Sequence, residues 1–109
     1  MADVLKVLAQ AAPSATTEST LYTVPVSTTT TVSSLVVCNR SSTSTTFRVS
    51  ISVNSAATAN ADYLYYDTPI GGNDTFIATI GITLGDQDII RVYAGTANLS
   101  FNLFGVEIT

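Results

Sequence analysis

The sequence predicts a single all-β domain: a small β-sandwich or jelly roll of about eight antiparallel strands with a short N-terminal arm. Three observations carry that expectation. Short apolar runs recur between turn signals at roughly 8–12 residue spacing. One of them, Phe47, Val49, Ile51 and Val53, alternates strictly with Arg48, Ser50, Ser52 and Asn54, the period of a strand with one buried face. Ser and Thr, rather than Lys and Glu, fill most outward positions, and Thr is β-branched and favours strands. No amphipathic helix of useful length appears, and no repeat of roughly 20–50 residues is present.

Taken in order, residues 4–10 begin with the apolar segment VLKVL. They read as an edge strand, or as an arm added to a neighbour, with a helical turn as the rival. Pro13 lacks an amide donor and biases its neighbour toward an extended shape, which argues against a long N-terminal helix. The expected division is an arm or edge strand over residues 1–20 and a sandwich over residues 21–109. Residues 20–26 (TLYTVPV) are the next strand, closed or placed at an edge by Pro25. Residues 35–38 (LVVC) are apolar on both faces, as in a strand buried within a sheet or sandwich. With the alternating run at residues 47–53 they read as a central hairpin whose loop is the Ser/Thr-rich residues 39–46.

Residues 55–61 (SAATANA) carry no large side chain and read as a loop, followed by an aromatic strand at residues 63–66 (YLYY). Residues 68–74 are dense in turn formers, with Gly71 and Gly72 free to adopt positive φ. Residues 75–84 (TFIATIGITL) form a strand in which Gly81 signals a bulge or a close backbone approach. Residues 85–88 turn, residues 89–93 (IIRVY) are a strand, and residues 95–98 turn again. The last strand is residues 99–108. There Leu99, Phe101 and Leu103 share one face while Phe104 and Val106 take the other, which implies burial on both faces or a bulge near Gly105.

The 109 residues suffice for one core that buries roughly two-thirds of the unfolded surface. Charged residues make up only 11%, far below the usual quarter. A surface so poor in charge repels neighbours weakly and suits packing in an assembly. The net charge is −4, with only Lys6, Arg40, Arg48 and Arg91 positive, which argues against a nucleic-acid partner. No run approaches the length of a membrane span, and the N-terminus lacks a signal-peptide pattern. With Cys38 as the single cysteine no intrachain disulfide can form, so the expectation is a soluble product of a reducing compartment with no membrane partner.

Catalytic chemistry finds little to work with. The chain has no histidine, which removes Ser-His and Cys-His arrangements, and Lys6 has no serine beside it. Cys38 lies in an apolar run that would hide it, the setting of an inert core thiol. Asp62 with Asp67, and Asp86 with Asp88, are the only carboxylate pairs suited to glycosidic hydrolysis. Both sit at strand ends, where Asp caps local backbone, and a calcium ion would need more oxygens than residues 86–88 supply. Gly71, Gly72 and Gly81 lack the lysine and the helix N-terminus of a phosphate cradle. Asn39, Asn73 and Asn98 fit the glycosylation pattern but read as turn residues. Tyr63 and Tyr65 share one face of an ideal strand and Tyr66 takes the other, so at least one of them is expected to face the core, and those outside suit a subunit contact or a glycan platform. The expectation is a protein that is not an enzyme, with no catalytic residue, no cofactor and no metal.

One resemblance stands out. The order LYTVP (from Leu21), VSSLVVCNRS (from Val32), TTFRV (from Thr45), YLYYD (from Tyr63), NDTF (from Asn73), GITL (from Gly81), VYA (from Val92) and LSFNLFG (from Leu99) resembles small virion structural proteins of tailed bacteriophages, those of aquatic and cyanobacterial phages in particular. The likeness covers residues 21–109. It implies a head decoration (cement) protein that binds the outer shell and stabilises contacts between capsomers, or alternatively a tail, fibre or baseplate component. The implied partner is the major capsid protein, and the expected self-association is a cyclic homo-oligomer, a trimer. The implied location is the virion, at the capsid surface or the tail, after synthesis in the host cytoplasm. No catalytic motif comes with the resemblance.

Residues 1–20 fit it least, and an arm function there rests on the residues themselves. The candidate interface is Val4, Leu5, Val7 and Leu8 with Tyr63, Tyr65 and Tyr66. Strand addition by residues 4–10 to a neighbour would make deletion of residues 1–12 abolish assembly while leaving the sandwich folded. A carbohydrate-binding module using Tyr63, Tyr65 and residues 70–74 is the alternative from a different class.

Overall fold

Alternating apolar runs separated by turns have to pair, and they do so almost throughout the chain. The computed structural model describes residues 2–109. Among the described residues nine strands form: β1 (Asp3–Ala11), β2 (Glu18–Thr23), β3 (Thr29–Asn39), β4 (Thr45–Ser52), β5 (Tyr63–Ile70), β6 (Thr75–Ala78), β7 (Ile82–Leu84), β8 (Ile89–Ala94) and β9 (Leu99–Ile108). Two single-turn 3-10 segments, Val53–Ser55 and Asn60–Asp62, join β4 to β5. Sheet I has the order β1-β9-β3-β6, with β7 also on β3, and sheet II has the order β2-β8-β4-β5.

All strand pairings are antiparallel, and they have a simple logic. β1 pairs with β9, β2 with β8, β3 with β6 and β7, and β4 with β5. The first half of the chain therefore runs against the second half as one long double ribbon, with its tip at the β4–β5 connection. Rolling that ribbon brings β3 onto β9 and β4 onto β8, and the result is a jelly roll. Between the sheets lies a dry core of Leu35, Val37, Phe47, Val49, Val92, Leu99, Phe101 and Leu103, each at most 1% exposed. Phe47 is its centre, 5.1 Å from the Phe76 ring and 6.3 Å from the Phe101 ring.

Several expectations change. β3 and β4 do not form a hairpin: they belong to different sheets, and residues 40–44 carry the chain across the sandwich edge. Both strands are apolar on the inner face, so each can bury that face against the other without sharing hydrogen bonds. The strand expected at residues 75–84 is divided. Three residues, 79–81, stand opposite only Ser33 and Ser34 of β3, so Gly81 takes φ +62° in open space and Ile80 turns outward. Residues 68–70 extend β5 instead of turning. β5 is the outer strand of sheet II, where Pro69 costs no ladder bond. The positive φ expected of Gly71 and Gly72 falls on Asn73.

β9 keeps its alternation unbroken through Gly105. The extra residues lie in its neighbours: Leu8 of β1 and Ser33 of β3 have no partner in the register with β9. Gly105 faces inward at that level, where a Cβ would collide with the Thr31 carbonyl. The two bulges sharpen the twist that lets the ribbon roll.

Candidate assembly interface

Much of the apolar surface that remains after the core is filled lies on the outer face of sheet I, while Val26, Val53, Leu64 and Tyr66 are exposed elsewhere. Because Leu99, Phe101 and Leu103 point inward, Phe104, Val106 and Ile108 of β9 point outward. Val36 and Cys38 of β3 flank them, since Leu35, Val37 and Asn39 are the inward set. Register extends the surface to both sides. Val7 lies opposite Phe104 and Leu5 opposite Val106, while Ile77 of β6 lies opposite Val36. Leu5 is 81% exposed, Ile77 62% and Val7 49%. Thr31, Ser34, Ser100 and Asn102 fill the gaps, and among the described residues Asp3 at the rim is the one carboxylate that this alternation places on the face. Isolated exposed apolar residues are ordinary, but a contiguous patch across four strands is the signature of a contact surface.

The outer face of sheet II is built on another plan. The Arg48 guanidinium lies 4.2 Å from the Tyr66 ring centre and 4.4 Å from that of Tyr93. Its Nε donates to Asp67 Oδ1 at 2.7 Å. Tyr63 meets Tyr66 edge-on at 4.9 Å. Beside them Arg91 Nη1 donates to Ser52 Oγ at 2.7 Å and to the Ala56 carbonyl at 2.9 Å. These cations are held in cation-π and hydrogen-bond contacts of their own.

The residues singled out in the sequence are thus separated. Leu5 and Val7 lie on the apolar face. Val4 is opposite Glu107 on the inner register at the sheet's end, and Leu8, in the bulge, packs against the core. Tyr63 and Tyr66 sit on the opposite side of the molecule, on the outer face of sheet II. Tyr65 points into the core, its ring 5.1 Å from Phe76 and 6.1 Å from Phe47. Tyr63 and Tyr65 therefore do not share a face, contrary to strict alternation. Leu64 is an extra residue between them, and a second irregularity at Tyr66 and Asp67, where Asp67 takes φ +49°, resets β5 again. A flat platform of Tyr63 and Tyr65 does not exist. Cys38 likewise is no core thiol: it is half-buried on the outer face, because the core claims its neighbours Val37 and Asn39.

A polar cluster that the sequence reading passed over locks the edge strand in place. Glu107 continues the inward series of β9 and is sequestered from most solvent. Lys6 Nζ of β1 lies 3.0 Å from its Oε1, and the Tyr22 hydroxyl of β2 donates to its Oε2 at 2.5 Å. Tyr22 is also 2.8 Å from the buried Thr30 hydroxyl of β3, which donates to it because the Tyr22 proton goes to the carboxylate. The Tyr22 bond, then Lys6, holds the Glu107 carboxyl below its ordinary range. Burial first, then Glu107, pushes the Tyr22 phenol up to about 12. The signal was available: a glutamate in register with Leu99, Phe101 and Leu103 must face inward and needs partners.

Three other acidic residues, Asp62, Asp86 and Asp88, serve the backbone. Asp88 accepts from the Gly85 and Asn54 amides, each at 2.9 Å, and Asp86 from the Ser27 amide at 2.7 Å. Asp62 caps Ala59 at 2.9 Å. Asn39 is 1% exposed, and its side chain bonds the Thr43 and Gly71 carbonyls. Among the described residues no group of three metal-ligating side chains assembles. An open hollow of about 340 Å³ between residues 10–12 and Ser100, Phe101 and Asn102 has no ionisable group; in its wall Gln10 Nε2 donates to Asn102 Oδ1 at 2.8 Å. Comparison with protein-family models and with curated proteins returns no match for this chain.

Proposed function

We propose that this chain is a structural subunit of an assembled particle, a bacteriophage virion protein of the head-decoration (cement) kind, whose work is to cover and be covered by neighbouring protein. The observation that carries the reading is the apolar outer face of sheet I, charged only by Asp3 at its rim, which the chain leaves in water although its core is already complete. Burying such a surface yields roughly 25 cal/mol per Å², so contacts that are individually modest add up across a lattice of many copies. The resemblance of residues 21–109 to small virion proteins points the same way, and the jelly roll recurs in capsid proteins, although a fold alone fixes no function. The glycan reading loses its geometric support with the division of Tyr63 from Tyr65.

A stoichiometric count of this chain on purified particles tests the proposal. Copies approaching the number of major capsid subunits make it a shell cement, and a small multiple of three or six moves it to the tail. Absence from particles refutes the virion role.

A further inference from the structure

We infer that the outer face of sheet I binds the same face of a second copy, so that the free protein is a two-fold dimer of face-to-face sheets. The inference rests on reading this face as an assembly surface and names its occupant. Three features select a copy of the chain itself. The first is charge. The protein carries −4 overall, so two copies repel through most of their surfaces. Glu18, Arg48, Asp67 and Arg91 lie on sheet II, Arg40, Asp62, Asp74, Asp86 and Asp88 in loops, and Lys6 and Glu107 on the inner register, which leaves the outer face of sheet I, with Asp3 alone at its rim, as the side where like copies meet with the fewest facing charges.

The second feature is area. β1, β9 and β3 run 9, 10 and 11 residues, and the shorter β6 and β7 share the fourth position; at ~4.8 Å spacing they present a footprint of roughly 600 Å², close to the ~800 Å² per partner of a standard interface. The third is chemistry. Val36, Phe104 and Val106, interleaved with Ser34 and Thr31, are what an aligned sheet packs against at ~10 Å separation. A two-fold axis through β3 and β9 places each such row against its own copy, the isologous arrangement that closes a dimer. This makes the assembly unit a pair, not the trimer that the sequence suggested.

Sedimentation of the full chain over a wide concentration range tests the inference. A reversible monomer–dimer equilibrium is expected. Ile77→Lys and Val36→Lys, both on the outer face and both checked for an unchanged thermal melt, should weaken it by ~100-fold, because each buries an unpaired ammonium. Ile77 is exposed enough that its substitution leaves the fold intact even should Val36→Lys perturb it. Thr20→Lys, on the outer face of sheet II, should leave the dimer unchanged. The Cys38 thiol supplies a second readout: its reaction with a small maleimide should slow as the wild-type concentration rises and stay fast in Ile77→Lys. A monomer at all concentrations, a trimer, or a dimer indifferent to Ile77→Lys overturns the inference. A dimer that never enters particles would leave it standing while refuting the virion role.

Discussion

Replacing Glu107 with Gln isolates the charge at the junction of β1, β2, β3 and β9. Gln keeps an acceptor for the Tyr22 hydroxyl and nearly the same volume, so the packing around Thr30 survives. Two contributions are lost. The Tyr22 bond, 2.5 Å long, changes from one accepted by a charged group, worth about 1.5–3 kcal/mol, to a neutral one near 1 kcal/mol. The Lys6 pair disappears; since the lysine is 44% exposed, screening limits that contribution to about 0.5 kcal/mol. Glu107→Gln should therefore lower stability at neutral pH by about 1–2 kcal/mol, read from urea unfolding monitored by circular dichroism. The sign with pH is fixed. The folded-state pKa of Glu107 is depressed, so its contribution is present above the unfolded carboxylate value and fades as pH falls through the folded one. The gap between wild type and variant should close in acid. A gap that is absent at pH 7, or that persists unchanged once the carboxylate is protonated, would refute the reasoning.

Three further outcomes follow from the same structure. Wild type should lose about 2 kcal/mol between pH 10 and about 12, because the Tyr22 phenol, raised from 10.0 to about 12, keeps its proton only in the folded state; Tyr22→Phe should flatten that part of a stability-versus-pH curve. Phe47→Ala empties the centre of the core and should cost about 3–5 kcal/mol, a large part of the ~5–15 kcal/mol of a typical domain, seen as a sharply lowered melting temperature. Asn39→Ala should cost about 2 kcal/mol by stranding the Thr43 and Gly71 carbonyls, and the near-isosteric Asn39→Asp should cost more, since a carboxylate would face both oxygens; equal melting temperatures for the two variants would contradict the bonding described.

How much of this was legible in the sequence depends on what sets each feature. The all-β class and most strands follow from local alternation, and residues 99–108 were read with their bounds and both faces correct. The β3–β4 hairpin was misread because alternation says which residues share a face but not which strand supplies the hydrogen bonds. That choice belongs to the whole ribbon, in which β3 is taken by β6, β7 and β9. The placing of Tyr63, Tyr65 and Cys38 failed for the opposite reason. One inserted residue flips every side chain beyond it, and the irregularities at Leu64 and Asp67 leave no mark in composition. For Cys38, parity was readable, but the apolar run at residues 35–38 suggested a strand covered on both sides, and within one chain the second cover does not exist.

That mismatch bears on the role of residues 1–12 as well. The arm expectation held that deleting them leaves the sandwich folded. In the structure β1 is hydrogen-bonded along β9, Leu8, Ala9 and Ala11 pack against the core, and Lys6 pairs with Glu107. Removing β1 strips β9 of one neighbour along its length. Each lost backbone bond costs about 0.5–1.5 kcal/mol net, and loss of the packed Leu8 adds about 2 kcal/mol, together enough to unfold a domain of ordinary stability. Deletion of residues 1–12 should thus abolish cooperative unfolding, not merely assembly. The double substitution Leu5→Ser with Val7→Ser, on the outer face only, should leave the melt within a few degrees of wild type and weaken self-association. β1 then has two separable duties, its inward residues closing the jelly roll and its outward ones widening the apolar face. A stable, well-folded deletion variant would show that the first duty is dispensable and return β1 to the status of an arm.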